Sequence, residues 1–99
     1  MKITYKKKDP QEILSLIEER LGGRKLAKIL SFKLEGNDLF VTIKKMGTSQ
    51  LNFSHVENQG EITWTLTKEK IALSHKAFKG EVLNKLAKVV SDTGGQLSS

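Results

Sequence analysis

The chain of 99 residues contains no cysteine, which excludes disulfides, zinc–thiolate sites and thiol catalysis. It has one proline, six aromatic residues and only two histidines. No stretch approaches the roughly 20 apolar residues that a membrane span requires. The charged start, Met1 to Lys8, is followed by no apolar segment, so a secretory signal is not expected and a cytoplasmic location is. The familiar catalytic signatures are missing too: no nucleophile elbow, no HExxH and no phosphate-binding loop occurs. The glycines read as turn residues, and Lys79-Gly80 lacks a preceding glycine-rich loop.

Apolar residues at 37% and charged residues at 28% place the chain among globular proteins, and its length fits one core. Seventeen Lys and Arg against eleven Asp and Glu leave a net charge of +6. Such a charge favours encounter with nucleic acid, an anionic membrane or an acidic protein, and it also keeps a small domain in solution. Only Arg20 and Arg24 are arginines, so the forked donor suited to phosphate is scarce.

Alternation and helical spacing order the chain. Ile3 and Tyr5 share one face of a short first strand. Asp9, Pro10 and Glu12 form an N-cap, N1 proline and capping-box glutamate, ahead of Ile13, Leu14, Ile17 and Leu21 at helical spacing. Gly22-Gly23 is expected to end that helix with a residue at positive φ.

Four alternating segments then run from Leu30 to His75. A two-residue turn at Gly36-Asn37 sets Leu34 opposite Leu39, Phe32 opposite Val41 and Leu30 opposite Ile43, with Glu35 facing Asp38. A three-residue turn at Met46-Gly47-Thr48 would set Ile43 opposite Leu51 and Val41 opposite Phe53. The connection Glu57 to Gly60 would bring Phe53 against Trp64 and Leu51 against Leu66. A last hairpin at Lys68-Glu69 would pair Leu66 with Ile71 and Trp64 with Leu73, although Lys-Glu is poor chemistry for a primed turn. The inward set is completed by Ile62.

From Lys79 to Ser91, Val82, Leu83, Leu86, Val89 and Val90 make one helical stripe, and Glu81→Lys85 has the favourable i,i+4 orientation. The expected fold is therefore α+β: a two-layer domain with an antiparallel meander sheet of five to six strands and two helices, in the order β-α-β-β-β-β-β-α. Residues 1–93 form one domain with no repeat or linker, and residues 94–99 are expected to be a flexible tail.

Chemistry-bearing candidates are few. His55 and His75 fall in phase with the inward residues, and no acid lies at a convincing ligand spacing, so no catalytic residue, metal site or cofactor is expected. Lys6, Lys7, Lys8, Arg24, Lys25 and Lys28, at the two ends of the first helix, form a candidate basic binding patch. Lys68, Lys70, Lys76 and Lys79 cluster further on. A single-strand nucleic-acid binder needs exposed aromatics among its cations. Phe32, Phe53 and Trp64 are in core phase, which leaves Tyr5, Phe40 and Phe78; of these Phe40 points away from the core beside Thr42 and Lys44, as a contact for a base or for the mate in a homodimer. A curved sheet gripping a C-terminal helix can also enclose an apolar ligand, but some thirteen inward side chains favour a self-filled core, with an apolar partner at the surface.

The run Glu35-Gly36-Asn37-Asp38-Leu39-Phe40, the Gly47 turn, a second alternating pair and the Phe78-Lys79-Gly80-Glu81-Val82 step into a helix resemble the small polyhydroxyalkanoic-acid-system (granule-associated) proteins of bacteria. This chain differs in a shorter first helix, a lysine after the first strand and a more basic balance. The resemblance implies a non-enzymatic protein associated with polyester storage granules and carries over no functional residues. The expected function is thus a non-enzymatic binding or interaction domain for such a granule, another apolar surface or a protein. Nucleic-acid binding through the lysine-rich surface is the alternative.

Overall fold

The computed structural model describes residues 1–6, 9–22, 25–76 and 79–98, and within these not the side chains of Lys25, Leu26, Asn58, Leu73, His75 and Lys79. Strand β1 (Lys2–Tyr5) leads to helix α1 (Pro10–Leu21), then a 3-10 turn (Lys25–Lys28). Four strands follow: β2 (Leu30–Glu35), β3 (Asp38–Lys44), β4 (Thr48–Asn58) and β5 (Glu61–Lys70). The chain ends with the short α2 (Leu73–Lys76), α3 (Lys79–Asp92) and β6 (Gly95–Ser98). Among the described residues six strands form one antiparallel sheet in the order β2-β3-β4-β5-β1-β6, and α1 and α3 pack together with it. The fold class is α+β, as the alternation and the two amphipathic helices imply.

Local chemistry accounts for most elements. Asp9 caps α1, its Oδ1 accepting from the Gln11 backbone N–H at 3.0 Å, and Pro10 occupies the first turn. Ile13, Ile17 and Leu21 are buried from α1, and Leu86, Val89 and Val90 from α3. Glu81 and Lys85 pair at 3.4 Å along α3. The end of α1 differs from expectation. Gly22 has φ −51° and closes the helix with a short bond from its N–H to the Glu19 carbonyl, so no positive φ is used there, and Gly23 lies outside the described residues.

The β2–β3 register is the one expected, from Leu30 opposite Ile43 to Glu35 opposite Asp38. The next two hairpins keep the expected faces but slide. Ile43 faces Ser49, Val41 faces Leu51 and Leu39 faces Phe53, because the loop is Lys45-Met46-Gly47 and not Met46-Gly47-Thr48. A tight turn at Gln59-Gly60 places His55 opposite Trp64 and Phe53 opposite Leu66, and beyond a bulge at Asn52/Phe53, Asn52 faces Lys68 and Leu51 faces Glu69. Slides of two residues leave every side chain on its own face, so the apolar pattern cannot oppose them.

The hairpin at Lys68-Glu69 does not form. Strand β5 continues through both residues to Lys70, and the chain turns into α2 at Leu73, so Trp64 does not face Leu73. Lys-Glu supplies neither of the positive-φ residues of a primed turn, and the place beside β5 belongs to β1, with Ile3 opposite Trp64. The sixth strand comes instead from residues 94–99, expected to be a tail. Gly95–Ser98 pair with β1, Tyr5 opposite Gly95 and Ile3 opposite Leu97.

Tyr5 holds this junction. Its ring meets Trp64 edge-on, with centroids 6.1 Å apart, and the core buries both side chains. Burying a ring of this size contributes roughly 4–6 kcal/mol at ~25 cal/mol per Å2. Thr93 Oγ1 lies 2.9 Å from the Val89 carbonyl, to which it donates, so the Tyr5 hydroxyl donates to Thr93 Oγ1 at 2.7 Å. A Cβ on Gly95 would lie 2.6–2.8 Å from three Tyr5 ring carbons, so only glycine lets the ring lie over β6. Trp64 in turn donates its Nε1–H to the Asn37 carbonyl at 2.8 Å, tying the centre of the sheet to the β2–β3 turn.

Two outcomes follow for this junction. Gly95→Ala should lower stability by about 1–3 kcal/mol in urea unfolding, because the ring cannot move without leaving the core. Burial also raises the Tyr5 hydroxyl above its ordinary value of 10.0. The folded state therefore favours the neutral phenol. That stabilisation is complete below pH 10 and is lost as pH rises through the raised value. Tyr5→Phe should remove this alkaline fall in unfolding free energy, measured from pH 8 to 11.

Candidate functional site

Strands β2 to β5 share their ends, and the two ends differ. At one lie Ile29, the loop Lys45-Met46-Gly47 and Lys70, where α2 and the start of α3 pack. Lys28, Lys44, Lys45 and Lys70 stand at this end, with Glu69 among them, and all five are exposed. The opposite ends of the same strands carry Glu35, Asp38, Glu57 and Glu61. The sheet is therefore polarised, basic at the α2 end and acidic at the other.

The β3–β4 loop at the basic end is unusual in two respects. Met46 has φ +54°, a left-handed conformation that costs a non-glycine residue about 1–2 kcal/mol. Its side chain is 90% exposed, against 52% for Val56, the other exposed large apolar side chain among the described residues. The loop is clamped: Ser74 Oγ donates to the Met46 carbonyl, and the Lys45 N–H donates to the Gly47 carbonyl at 3.0 Å. Gly47, at φ +135°, must be glycine, since a Cβ would lie 2.7 Å from Ser74 Oγ and 3.2 Å from the Ala72 Cβ. Ser49, fully buried, anchors the same corner by accepting the Ala72 N–H at 2.8 Å.

Beneath Met46 opens a cleft of about 300 Å3. Ile29, Leu30 and Val82 supply its apolar wall, while Lys45, Lys85 and Glu81 stand on its rim. The loop is strained, tied by the Ser74 hydroxyl, and presents a methionine over an apolar cleft. Strain of this kind persists only where surrounding contacts hold it, and methionine adapts to varied apolar partners.

The residues singled out from sequence are dispersed. Lys6 and Lys28 are exposed near the two ends of α1, whose twelve residues span about 18 Å. Lys7, Lys8 and Arg24 lie outside the described residues, as does the Lys25 side chain. Of these, only Lys28 is shown beside the cleft end. Phe40 is half-buried on the outer sheet face, between Lys33 of β2 and Asn52 of β4. Of the later lysines, Lys68, Lys70 and Lys76 are exposed.

His55 is partly buried opposite Trp64, its backbone N–H donating to Asp38 Oδ1 at 3.0 Å and its Nε2 without a hydrogen-bond partner among the described residues. The His75 side chain lies outside the description. Among the described residues no group of three or more His, Asp or Glu is placed to hold a metal ion, and no helix is long and apolar enough to cross a membrane. Sequence reasoning passed over Met46 and the cleft. The one local signal was the Met46-Gly47 turn, whose first residue is too apolar for an ordinary exposed loop.

Set against protein-family models, curated proteins and solved structures, the chain matches none.

The loop makes a clear forecast. Met46→Gly removes the left-handed penalty of ~1–2 kcal/mol and adds a glycine entropy of ~0.5–1 kcal/mol, for a net gain of about 0.5–1 kcal/mol in stability. Gly47→Ala should instead lose about 1–3 kcal/mol, since it displaces the Ser74 clamp. Thermal unfolding of the two variants measures both.

Proposed function

We propose that this chain is a non-enzymatic binding domain that docks on an apolar surface with its basic end, Met46 entering first. The observation that carries this reading is the 90% exposure of Met46 over the cleft, in a loop tied by the bond from Ser74 Oγ to the Met46 carbonyl. An apolar side chain on a backbone held this way gains ~25 cal/mol per Å2 when a partner covers it, and only its own rotamers have to be ordered. The surrounding lysines suit a surface carrying negative charge. A polyester storage granule, the partner that the family resemblance implies, is the surface we assign.

The lysines at the cleft end also favour a second reading, contact with nucleic-acid phosphate. Against it, the tip among them is a methionine, while Phe40 is half-buried on the outer sheet face and offers no open stacking platform.

Co-sedimentation with polyhydroxyalkanoate granules separates the readings. The wild-type chain should pellet with granules, and Met46→Glu should lower the bound fraction at least about fivefold while unfolding at an unchanged temperature, since the side chain touches little of the fold. A wholly soluble wild-type chain would refute the granule assignment. Micromolar binding to single- or double-stranded DNA or RNA that falls steeply between low and physiological salt would favour the phosphate reading instead.

A further inference from the structure

The cleft has the dimensions and the charge of a site for one particular class of small molecule. Its volume of about 300 Å3 holds roughly ten non-hydrogen atoms at the ~30 Å3 that each water takes in the liquid. The wall of Ile29, Leu30 and Val82 offers no partner for a polar chain, so those atoms must be mostly carbon. Among the described residues the charges lining it are two lysines, Lys45 and Lys85, and one acid, Glu81, whose carboxylate lies 3.4 Å from Lys85 Nζ. The lining is net positive, and Lys28, Lys44 and Lys70 against Glu69 at the same end of the sheet extend the field in the same sense. An apolar chain of this length with an anionic head matches both features.

We infer that the cleft binds a free fatty carboxylate of about eight carbons, its chain along Ile29, Leu30 and Val82 and its carboxylate between Lys45 and Lys85. This deepens the proposed function, for it places one acyl chain in the site assigned above to an apolar surface. The carboxylate takes a share of Lys85 from Glu81. The Met46 side chain, standing in water at the mouth, folds over the bound chain and exchanges its own exposure for contact with ligand carbon. The strained loop need not move for this, only the methionine rotamers.

Octanoate has ten non-hydrogen atoms and serves as the probe, with octan-1-ol as its uncharged equal in length. In an amide-resolved NMR titration of the full chain, octanoate should shift Ile29, Leu30, Met46 and Val82 saturably, with Kd at or below about 1 mM. Octan-1-ol should bind about fivefold or more weakly. The double variant Lys45→Gln/Lys85→Gln should lower octanoate affinity about five- to tenfold and leave octan-1-ol unchanged. Glu81→Gln should raise octanoate affinity a few-fold by removing the competing carboxylate.

Val82→Phe fills the cleft and should abolish binding of both probes, its fold checked by an otherwise unchanged spectrum. Shifts that do not saturate, or that scatter over the molecule, would overturn the assignment. So would equal affinity for the two probes with no response to the lysine and Glu81 variants. These outcomes are independent of granule binding, since octanoate can fail to bind while Met46→Glu still releases the chain from granules, and the reverse.

Discussion

One ring packed on one glycine holds the two ends of this chain together. Tyr5 lies over Gly95, meets Trp64 edge-on and donates to Thr93 at the end of α3, so strand, sheet centre, helix and terminal strand meet at a single side chain. Without it, β5 would present an unpaired edge and Trp64 would lose its neighbour. The sheet would then be the four-stranded meander β2 to β5, with Trp64 on its edge strand. Closing the sheet with β1 and β6 anchors the end of α3, whose first turns carry Glu81, Val82 and Lys85 to the cleft beside the β3–β4 loop.

How far such a structure can be read from residues depends on the range of the interaction. Faces were legible, because alternation is local: all of the inward set whose side chains are described are buried or half-buried. Turn chemistry gave the β2–β3 register and the α1 cap correctly. It did not separate registers two residues apart at Met46-Gly47, because both bury the same side chains. Pairing partners were less legible. The four residues of β1 say which face is apolar but not that their neighbours are β5 and β6, and the alternation after Lys68 suggested a hairpin that β1 replaced. Gly95 fell in the expected tail, since nothing near it in sequence announces Tyr5.

The site was the least legible feature, and for the same reason. Met46 reads locally as a turn residue; the cleft beneath it is lined by Ile29, Leu30 and Val82, from two other segments. The charge told a similar story. Lysines counted along the chain suggested patches at the ends of α1, whereas strand order gathers lysines at one end of the sheet and glutamates and aspartate at the other. A polarised molecule of this kind orients as it approaches an anionic surface, which a uniform charge of the same net value would not do. In the proposed docking the basic field serves approach and orientation, and the methionine and cleft serve contact.

The central claim is that the Met46 end is the contact surface, and hydrogen exchange on granule-bound chain tests it most directly. Amides from 44 to 48 and from 81 to 86 should exchange more slowly on granules than free in solution, with β1, β6 and the outer sheet face around Phe40 unchanged. Slowing centred on Phe40 and its neighbours, with the Met46 loop exchanging as in the free chain, would contradict the account.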